Sequence, residues 1–494
     1  MMINASLLEI IEESFNKYAD RIAIDYENTT ATYKELKEKT ICWSMEMESI
    51  GIKFKNRVLL AIDSHIDFIA VWIALWKLNC IPIPMEATAT ALELERAAKE
   101  SQCEFIIASS ICGIAETQVV NKLPSHIQPT WTYIQVKSMS SSRIPEDAAL
   151  FFYTSGTTGL PKCVVFDHQA MKENVISLAE KINLSEEDVF FTPLSPMLPA
   201  TIATAVLPAL SKGAALITVK NPIPGKLLRK IVDKKVTVFF AVPYMYDIIT
   251  TAMSVRQEDA WNNIRLCLTS SAFMEAHIFE KFYSLTSIPI RSIYCSSEGG
   301  AVTYNDAEDI IKVRSSVGRP LQGVELIIVN GEGREANPGE IGEIYVAGSH
   351  LAAGYYNKLE LQEIVFSPQG IRTGDLGAFD SEGYLTLHGR ASETINVSGH
   401  LVNPGEVEEV IAEIAAISEV VVYSKADEHL GECIASKIVL NDDCTNLSTD
   451  EILDFCSKKL NHYKLPRHIE FVKELPKSRY GKKVRTFHAN GGWE

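Results

Sequence analysis

No apolar stretch in this chain is long enough to cross a bilayer. The longest strictly apolar run, residues 68–76, falls well short of the roughly 18 residues a spanning helix needs. The N-terminus, Met1-Met2-Ile3-Asn4-Ala5-Ser6, lacks a basic segment and runs into an acidic amphipathic helix, so no secretory leader is expected there. The ten cysteines (42, 80, 103, 112, 163, 267, 295, 433, 444 and 456) form no Cys-x-x-Cys pair, and none has a His at metal-ligand spacing. In a chain this long, that argues against a disulfide framework or a zinc site and for buried thiols in a reducing compartment, with the cytoplasm as the expected location. Positive charge is also scarce. With 47 Lys and Arg against 63 Asp and Glu, the net charge is -16, which repels a polyanion and speaks against a nucleic-acid partner. Lys458-Lys459 and Lys482-Lys483 remain as local contacts for a smaller anion. Internal repeats are absent, and the one biased stretch, the serine cluster at 138–142, reads as a surface loop.

What is present is the composition of a soluble globular protein, 46% hydrophobic and 22% charged, spread over 494 residues. That length predicts roughly two to four folding units. Short β-branched runs alternate with helical periods: a strand over 236–242 and a helix from Tyr244, then a strand over 264–268, a helix over 275–285 and a strand over 289–294. Such alternation predicts parallel sheets covered by helices, with ligands gathered at the carboxyl ends of strands. Over 323–356 shorter strands and Gly-rich turns predict an antiparallel or barrel-like part. Past Gly389-Arg390, strands over 419–423 and 434–440 and a helix from Thr449 predict a separate α+β domain. The expected fold class is therefore α/β. A large domain over 1–390 combines parallel-rich sheets with a small barrel-like part, and a small α+β domain covers 391–494.

The strongest chemical signal is Tyr153-Thr154-Ser155-Gly156-Thr157-Thr158-Gly159-Leu160-Pro161-Lys162, which follows the apolar run 148–152 and hence the end of a strand. The glycines allow close backbone approach to a ligand, the hydroxyls add donors, and Lys162 adds a point charge. Together they suit a polyphosphate cradle. The P-loop of kinases and GTPases is excluded, because Pro161 stands where its second Gly belongs and Cys163 replaces its Ser or Thr. A flexible surface loop of similar composition is the competing reading.

This segment resembles the signature loop of the adenylate-forming superfamily: acyl- and aryl-CoA synthetases, adenylation domains of nonribosomal peptide synthesis, and firefly luciferase. The resemblance runs along nearly the whole chain in the family's order. It takes in Thr32-Tyr33-Lys34-Glu35-Leu36, Trp76-Lys77-Leu78-Asn79-Cys80-Ile81-Pro82-Ile83-Pro84, Tyr294-Cys295-Ser296-Ser297-Glu298, Arg372-Thr373-Gly374-Asp375, Gly389-Arg390 and Leu475-Pro476-Lys477-Ser478-Arg479-Tyr480-Gly481-Lys482. It implies ATP-dependent activation of a carboxylic acid to an acyl adenylate with release of pyrophosphate. Transfer to the thiol of coenzyme A or of a carrier-protein phosphopantetheine follows.

By the same resemblance, Thr154, Ser155, Gly156, Thr157, Thr158, Gly159 and Lys162 bind the phosphates. Tyr294 lies on adenine, Ser297 reaches the α-phosphate, and Glu298 holds Mg²⁺, whose preference for hard oxygen ligands suits a carboxylate beside phosphates. Asp375 accepts from the ribose hydroxyls, and Arg390 reaches the ribose or phosphate. Lys482 supplies positive charge when two anions meet in the first step. The C-terminal domain is expected to be mobile and to pivot at Ser392, where the family customarily has Asp or Lys. Gly399, in Ile395-Asn396-Val397-Ser398-Gly399-His400, leaves room for a pantetheine arm.

Two departures bear on the acid. Met197 falls where amino-acid-activating members place an Asp for the substrate ammonium. Burying that cation unpaired costs roughly 3–5 kcal/mol, so an α-amino acid is disfavoured. Thr269-Ser270-Ser271-Ala272 stands where the family commonly has a Gly-Gly pair, and the hydroxymethyl groups of Ser270 and Ser271 are expected to narrow the acyl channel. A small aryl or short acyl acid is expected. A stand-alone amino-acid adenylation domain and a non-catalytic nucleotide-binding regulator are the alternatives, the latter weakened by the retention of Lys482.

Overall fold

The computed structural model describes residues 6–109, 119–128, 130–136, 147–154, 162–253, 261–397, 400–427, 431–441 and 447–475. The serine cluster at 138–142 lies outside them. The chain forms two compact units, Met1–Leu326 with Val346–Arg372, and Ile327–Tyr345 with Thr373–Glu494. The mixed α/β class, with a larger N-terminal and a smaller C-terminal unit, is as expected.

The larger unit is organised around a nine-stranded sheet. Its order is Arg319–Pro320, Gly300–Tyr304, Ile290–Ser296, Leu266–Thr269, Val238–Phe240, Val189–Phe191, Ala215–Thr218, Ile22–Tyr26 and Thr29–Thr32. The six strands from Ile290–Ser296 to Ile22–Tyr26 run parallel. The central ones, Val189–Phe191, Val238–Phe240 and Leu266–Thr269, are near-continuous apolar runs, as strands buried on both faces of a parallel sheet are. Phe190, Phe191, Val238, Phe239, Phe240, Cys267 and Leu268 are all fully buried. A second sheet, of five strands, runs Ile81–Pro84, Arg57–Ala61, Phe105–Ala108, Thr132–Val136 and Val119–Pro124. The apolar run 68–76 belongs to the helix His65–Lys77, buried throughout 65–76, so its hydrophobicity is that of a core helix. Among the described residues, no helix is long and apolar enough to cross a membrane.

Helix starts follow local chemistry. Ser6, Thr32, Thr90 and Ser448 each cap a helix whose third residue is a Glu that returns a hydrogen bond, satisfying two otherwise orphaned backbone donors. The part expected to be antiparallel or barrel-like is a five-stranded sheet. It runs Val324–Val329, Gly342–Gly348, Gly370–Phe379 and Phe366–Ser367, with Leu385–Arg390 also antiparallel to Gly370–Phe379. No closed barrel is required. The C-terminal unit has a core of its own, including Ile395, Val402, Val407, Ile411, Val420, Ile434 and Ile452. It packs under a sheet whose longest hairpin pairs Ile417–Asp427 with Gly431–Leu440. Within these compact units, residues 327–345 and 373–390 group with the C-terminal residues. Of the eight described cysteines, all free thiols, Cys42 is exposed and Cys295 half-buried, while the other six are buried.

Candidate active site

The parallel register aligns the carboxyl ends of Val189–Phe191, Val238–Phe240, Leu266–Thr269 and Ile290–Ser296 along one sheet edge. The loops leaving these strands carry Met197, Ser270, Ser271, Ala272, Ser297 and Glu298. The structure therefore brings together residues as much as 101 positions apart in sequence (298 − 197).

The segment holding Glu298 is shaped by its strand pairing. Between Tyr294 and Cys295 the antiparallel register with Gly300–Tyr304 shifts, a bulge of the kind that re-aims side chains near active sites. Tyr294 is buried, Ser297 exposed and Glu298 half-buried. The turn closes with the Gly299 amide donating to Ser296 Oγ at 2.8 Å. At Gly300, φ is +64° and an added Cβ would fall 2.2 Å from Asn174 Oδ1, so only glycine fits. Asn174, itself buried, accepts from the Ala301 amide at 2.7 Å and donates to the carbonyls of Gly299 (3.3 Å) and His350 (2.9 Å). The Ala352 amide donates to the Glu298 carbonyl at 2.7 Å. These bonds tie the Glu298 turn to residues 350–355.

From that segment Tyr355 reaches the site. Its hydroxyl donates to Glu298 Oε1 at 2.5 Å, and Lys162 Nζ stands 5.6 Å from its ring centroid. Burial, and then the Glu298 carboxylate, push the Tyr355 phenol well above its ordinary range, so it remains a donor at neutral pH. Lys162 opens the strand Lys162–Asp167, which pairs with both Ala148–Thr154 and Gly354–Tyr355. Thr154 ends the first of these. Ser155, Gly156, Thr157, Thr158 and Gly159 lie outside the described residues. Among the described residues no cluster of three or more His, Cys, Asp or Glu could hold a metal unaided. One half-buried carboxylate fits Mg²⁺ held largely by phosphate oxygens and water.

The acid-side residues occupy the next strand end. Met197 is buried, and Ser195 Oγ donates to its Sδ at 3.0 Å. Ser270 is buried beside Cys295, whose thiol burial pushes up to about 11, with the Ser270 contact opposing. Ser271 and Ala272 are exposed. Ser271 has φ +73°, a left-handed conformation that costs a non-glycine residue roughly 1–2 kcal/mol. A glycine there escapes that strain but loses more chain entropy on folding. Ser271→Gly is therefore expected to stabilise by roughly 0.5–1 kcal/mol net and to widen the range of acids turned over. Thermal melts and acid competition check the two halves, and a lower melting temperature with an unchanged range contradicts both.

In the C-terminal unit, Asp375 and Arg390 face each other across the pair Gly370–Phe379 and Leu385–Arg390, with Arg390 Nε 3.0 Å from Asp375 Oδ1. The approach to Asp375 is set by Thr373, whose hydroxyl donates to the Ile344 carbonyl at 2.8 Å and accepts from the Asp375 amide at 3.1 Å. Gly374 supplies the left-handed turn between them, φ +74°. Gly389, φ +91°, leaves no room for a Cβ against Asn403 Oδ1. Ser392 is exposed in the short 3₁₀ helix Ala391–Glu393. Gly399 and Lys482 lie outside the described residues.

Sequence reasoning missed Tyr355 and Asn174. A lone Gly-Tyr dipeptide carries no signal. Asn174 does: it falls on the apolar stripe Ala170, Met171, Val175, Leu178 of the helix His168–Lys181, where a buried amide needs partners.

Residues 11–356 match the AMP-binding enzyme family, and residues 406–482 match the AMP-binding enzyme C-terminal domain. A long-chain-fatty-acid–CoA ligase of Mycobacterium tuberculosis is 28% identical over 456 residues, covering 89% of each chain. An oxalate–CoA ligase of Arabidopsis thaliana is 26% identical over 514 residues, covering 99% of each. A 2-succinylbenzoate–CoA ligase of Oceanobacillus iheyensis is 26% identical over 469 residues, covering 94% of this chain and 95% of that one. In fold, the chain is similar to ATP-bound MatB from Rhodopseudomonas palustris, with a TM-score of 0.85, 21% identity and 97% of each chain covered. With family matches over most of its length and the fold shared throughout, the chain belongs to the AMP-binding enzymes of the adenylate-forming superfamily and is a ligase of the acid–thiol type.

Proposed function

We propose that this enzyme activates a compact aryl or short acyl acid with ATP and passes the acyl group to the thiol of coenzyme A or of a carrier-protein phosphopantetheine. The observation that carries the reading is the grouping of Lys162, Tyr355 and Glu298 at the strand ends that also present Ser297 and residues 270–272. In the first step a carboxylate oxygen bonds to the α-phosphorus, the bond to the bridging oxygen breaks, and pyrophosphate leaves. Lys162, with residues 154–159, holds the leaving phosphates. Ser297 donates to the α-phosphate, and Lys482 offsets the charge of the meeting anions. Mg²⁺, held through Glu298, would supply further charge neutralisation to the phosphates. Tyr294 supports the adenine, Asp375 binds the ribose hydroxyls, and Arg390 reaches ribose or phosphate. In the second step the thiolate attacks the acyl carbon and AMP departs.

The relatives act on acids of very different size, so the compact acid is argued from this chain's own residues. Met197 carries no charge for an ammonium, and Ser270 and Ser271 add bulk where glycines are customary. A cytoplasmic location accords with the free thiols. Pyrophosphate exchange over short, medium and long acyl chains, substituted benzoates and common amino acids tests the reading. A clear preference for long chains or for any amino acid overturns the substrate class, and absence of exchange with every acid overturns adenylation.

The two steps are proposed to use different orientations of the C-terminal residues, pivoting at Ser392 with Gly399 admitting the pantetheine arm. Proline fixes φ and resists such a pivot. Ser392→Pro is expected to spare one half-reaction and impair the other, measured separately as pyrophosphate exchange and as thioester formation from preformed adenylate. Equal retention of both rates argues against a hinge at this residue.

A further inference from the structure

We propose that Tyr355 is a positioning residue that keeps Lys162 and Glu298 apart in the ATP-free enzyme, so that neither charge is spent neutralising the other. The inference rests on the roles just proposed for Lys162 and Glu298. An ammonium and a carboxylate sharing a half-buried site attract strongly, since neighbouring protein lowers the effective dielectric. Paired directly, they would have to be separated before polyphosphate and metal could bind. Tyr355 offers each a weaker partner.

The strand register explains the placement. Tyr355 stands opposite Val164, and Lys162 lies two residues along the same strand, hence on the same face and diagonal to Tyr355. The ring thus meets the ammonium at 5.6 Å, a cation–π contact that a phosphate can readily displace. At the far end of the ring the hydroxyl donates to Glu298 Oε1 at 2.5 Å, orienting the carboxylate as partners of metal ligands commonly do. The ring is itself held: Phe366 packs perpendicular to it at 5.6 Å, and the Ala352 amide fixes the Glu298 carbonyl three residues upstream of Tyr355. One side chain touches both proposed phosphate and metal ligands, and neither the loop motif nor the Glu298 motif contains it.

Two variants of the full-length enzyme separate the ring from the hydroxyl. Tyr355→Phe keeps the seat for Lys162 and loses the bond to Glu298. It is expected to leave ATP binding in EDTA within about 2-fold of wild type and to raise the Mg²⁺ concentration for half-maximal pyrophosphate exchange by about 10-fold. Tyr355→Leu removes the seat as well, letting Lys162 pair with Glu298, and is expected to weaken ATP binding in EDTA by at least ~5-fold. Adding Glu298→Gln to Tyr355→Leu removes the competing charge and is expected to restore metal-free ATP binding. Calorimetric titration with ATP reads these effects without turnover. A purely structural role would lower binding equally in both variants and give no rescue by Glu298→Gln; that result, or no change in either variant, overturns the proposal. Wild-type exchange without the predicted split rejects the role of Tyr355 alone, whereas a wild type that binds no ATP rejects the proposed function with it.

Discussion

Lys482→Ala is expected to slow adenylate formation by at least ~10²-fold while ATP binding survives, as for loss of a donor aimed at developing transition-state charge. The demand is electrostatic. A carboxylate must approach an α-phosphate that already carries negative charge, in a chain whose net charge is -16. With Lys162 proposed for the leaving phosphates, Lys482 is the cation proposed for the attacking side. Lys482 closes the C-terminal Gly481-Lys482 motif, within the matched C-terminal domain. Pyrophosphate exchange and ATP titration separate the two outcomes. Exchange near the wild-type rate removes Lys482 from the chemistry, whereas loss of ATP binding makes it a binding residue. Thioester formation from preformed adenylate should be far less affected, because the second step brings together no second anion at phosphorus.

Asp375→Ala is expected to weaken ATP by ~10²-fold, the loss of two hydrogen bonds to a charged acceptor. The carboxylate is only 14% exposed and already has Arg390 Nε at 3.0 Å, so it is oriented before nucleotide arrives. Arg390, 45% exposed, can be hydrated once its partner is gone, so little of the effect should come from a stranded cation. Asp375→Asn keeps an acceptor oxygen and should lose less. Binding of ATP and of 2′-deoxyATP distinguishes the role: the deoxy analogue should bind the wild type more weakly and Asp375→Ala no more weakly than ATP does. An undiminished preference for ATP in the alanine variant places the ribose elsewhere.

The sequence was most legible where local chemistry decides structure. The strands over 236–242 and 264–268 appear as Val238–Phe240 and Leu266–Thr269, because runs buried on both faces are apolar, and the strand over 289–294 appears as Ile290–Ser296. The helices from Tyr244 and over 275–285 appear as Pro243–Ala252 and Ala276–Thr286. The same logic read the run 68–76 as too short to span a membrane, and it lies within a core helix. Extent was less legible. The strand read over 419–423 extends through Ile417–Asp427, since its outer residues are held by pairing with Gly431–Leu440 rather than by their own burial. Residues 327–345 and 373–390 group with the C-terminal residues although their strands pair in a sheet separate from the C-terminal one, and no local composition marks that grouping.

The motifs named Glu298, Lys162, Asp375 and Arg390 one by one, and the sequence by itself determined which charges and hydroxyls were available; Lys162 and Glu298 it placed beside strand ends, whereas Asp375 lies inside the strand Gly370–Phe379. Tertiary structure alone decided which of them meet. Asp375 reaches Arg390 across 15 residues (390 − 375) through an antiparallel register with an irregularity beside it. Lys162 and Glu298, 136 positions apart (298 − 162), converge on a tyrosine that belongs to neither motif. Residue type and spacing fix local conformation and chemical capacity, because those depend on near neighbours. Proximity across such distances depends on how sheets register and how buried amides such as Asn174 find their partners, and only the folded chain holds that information.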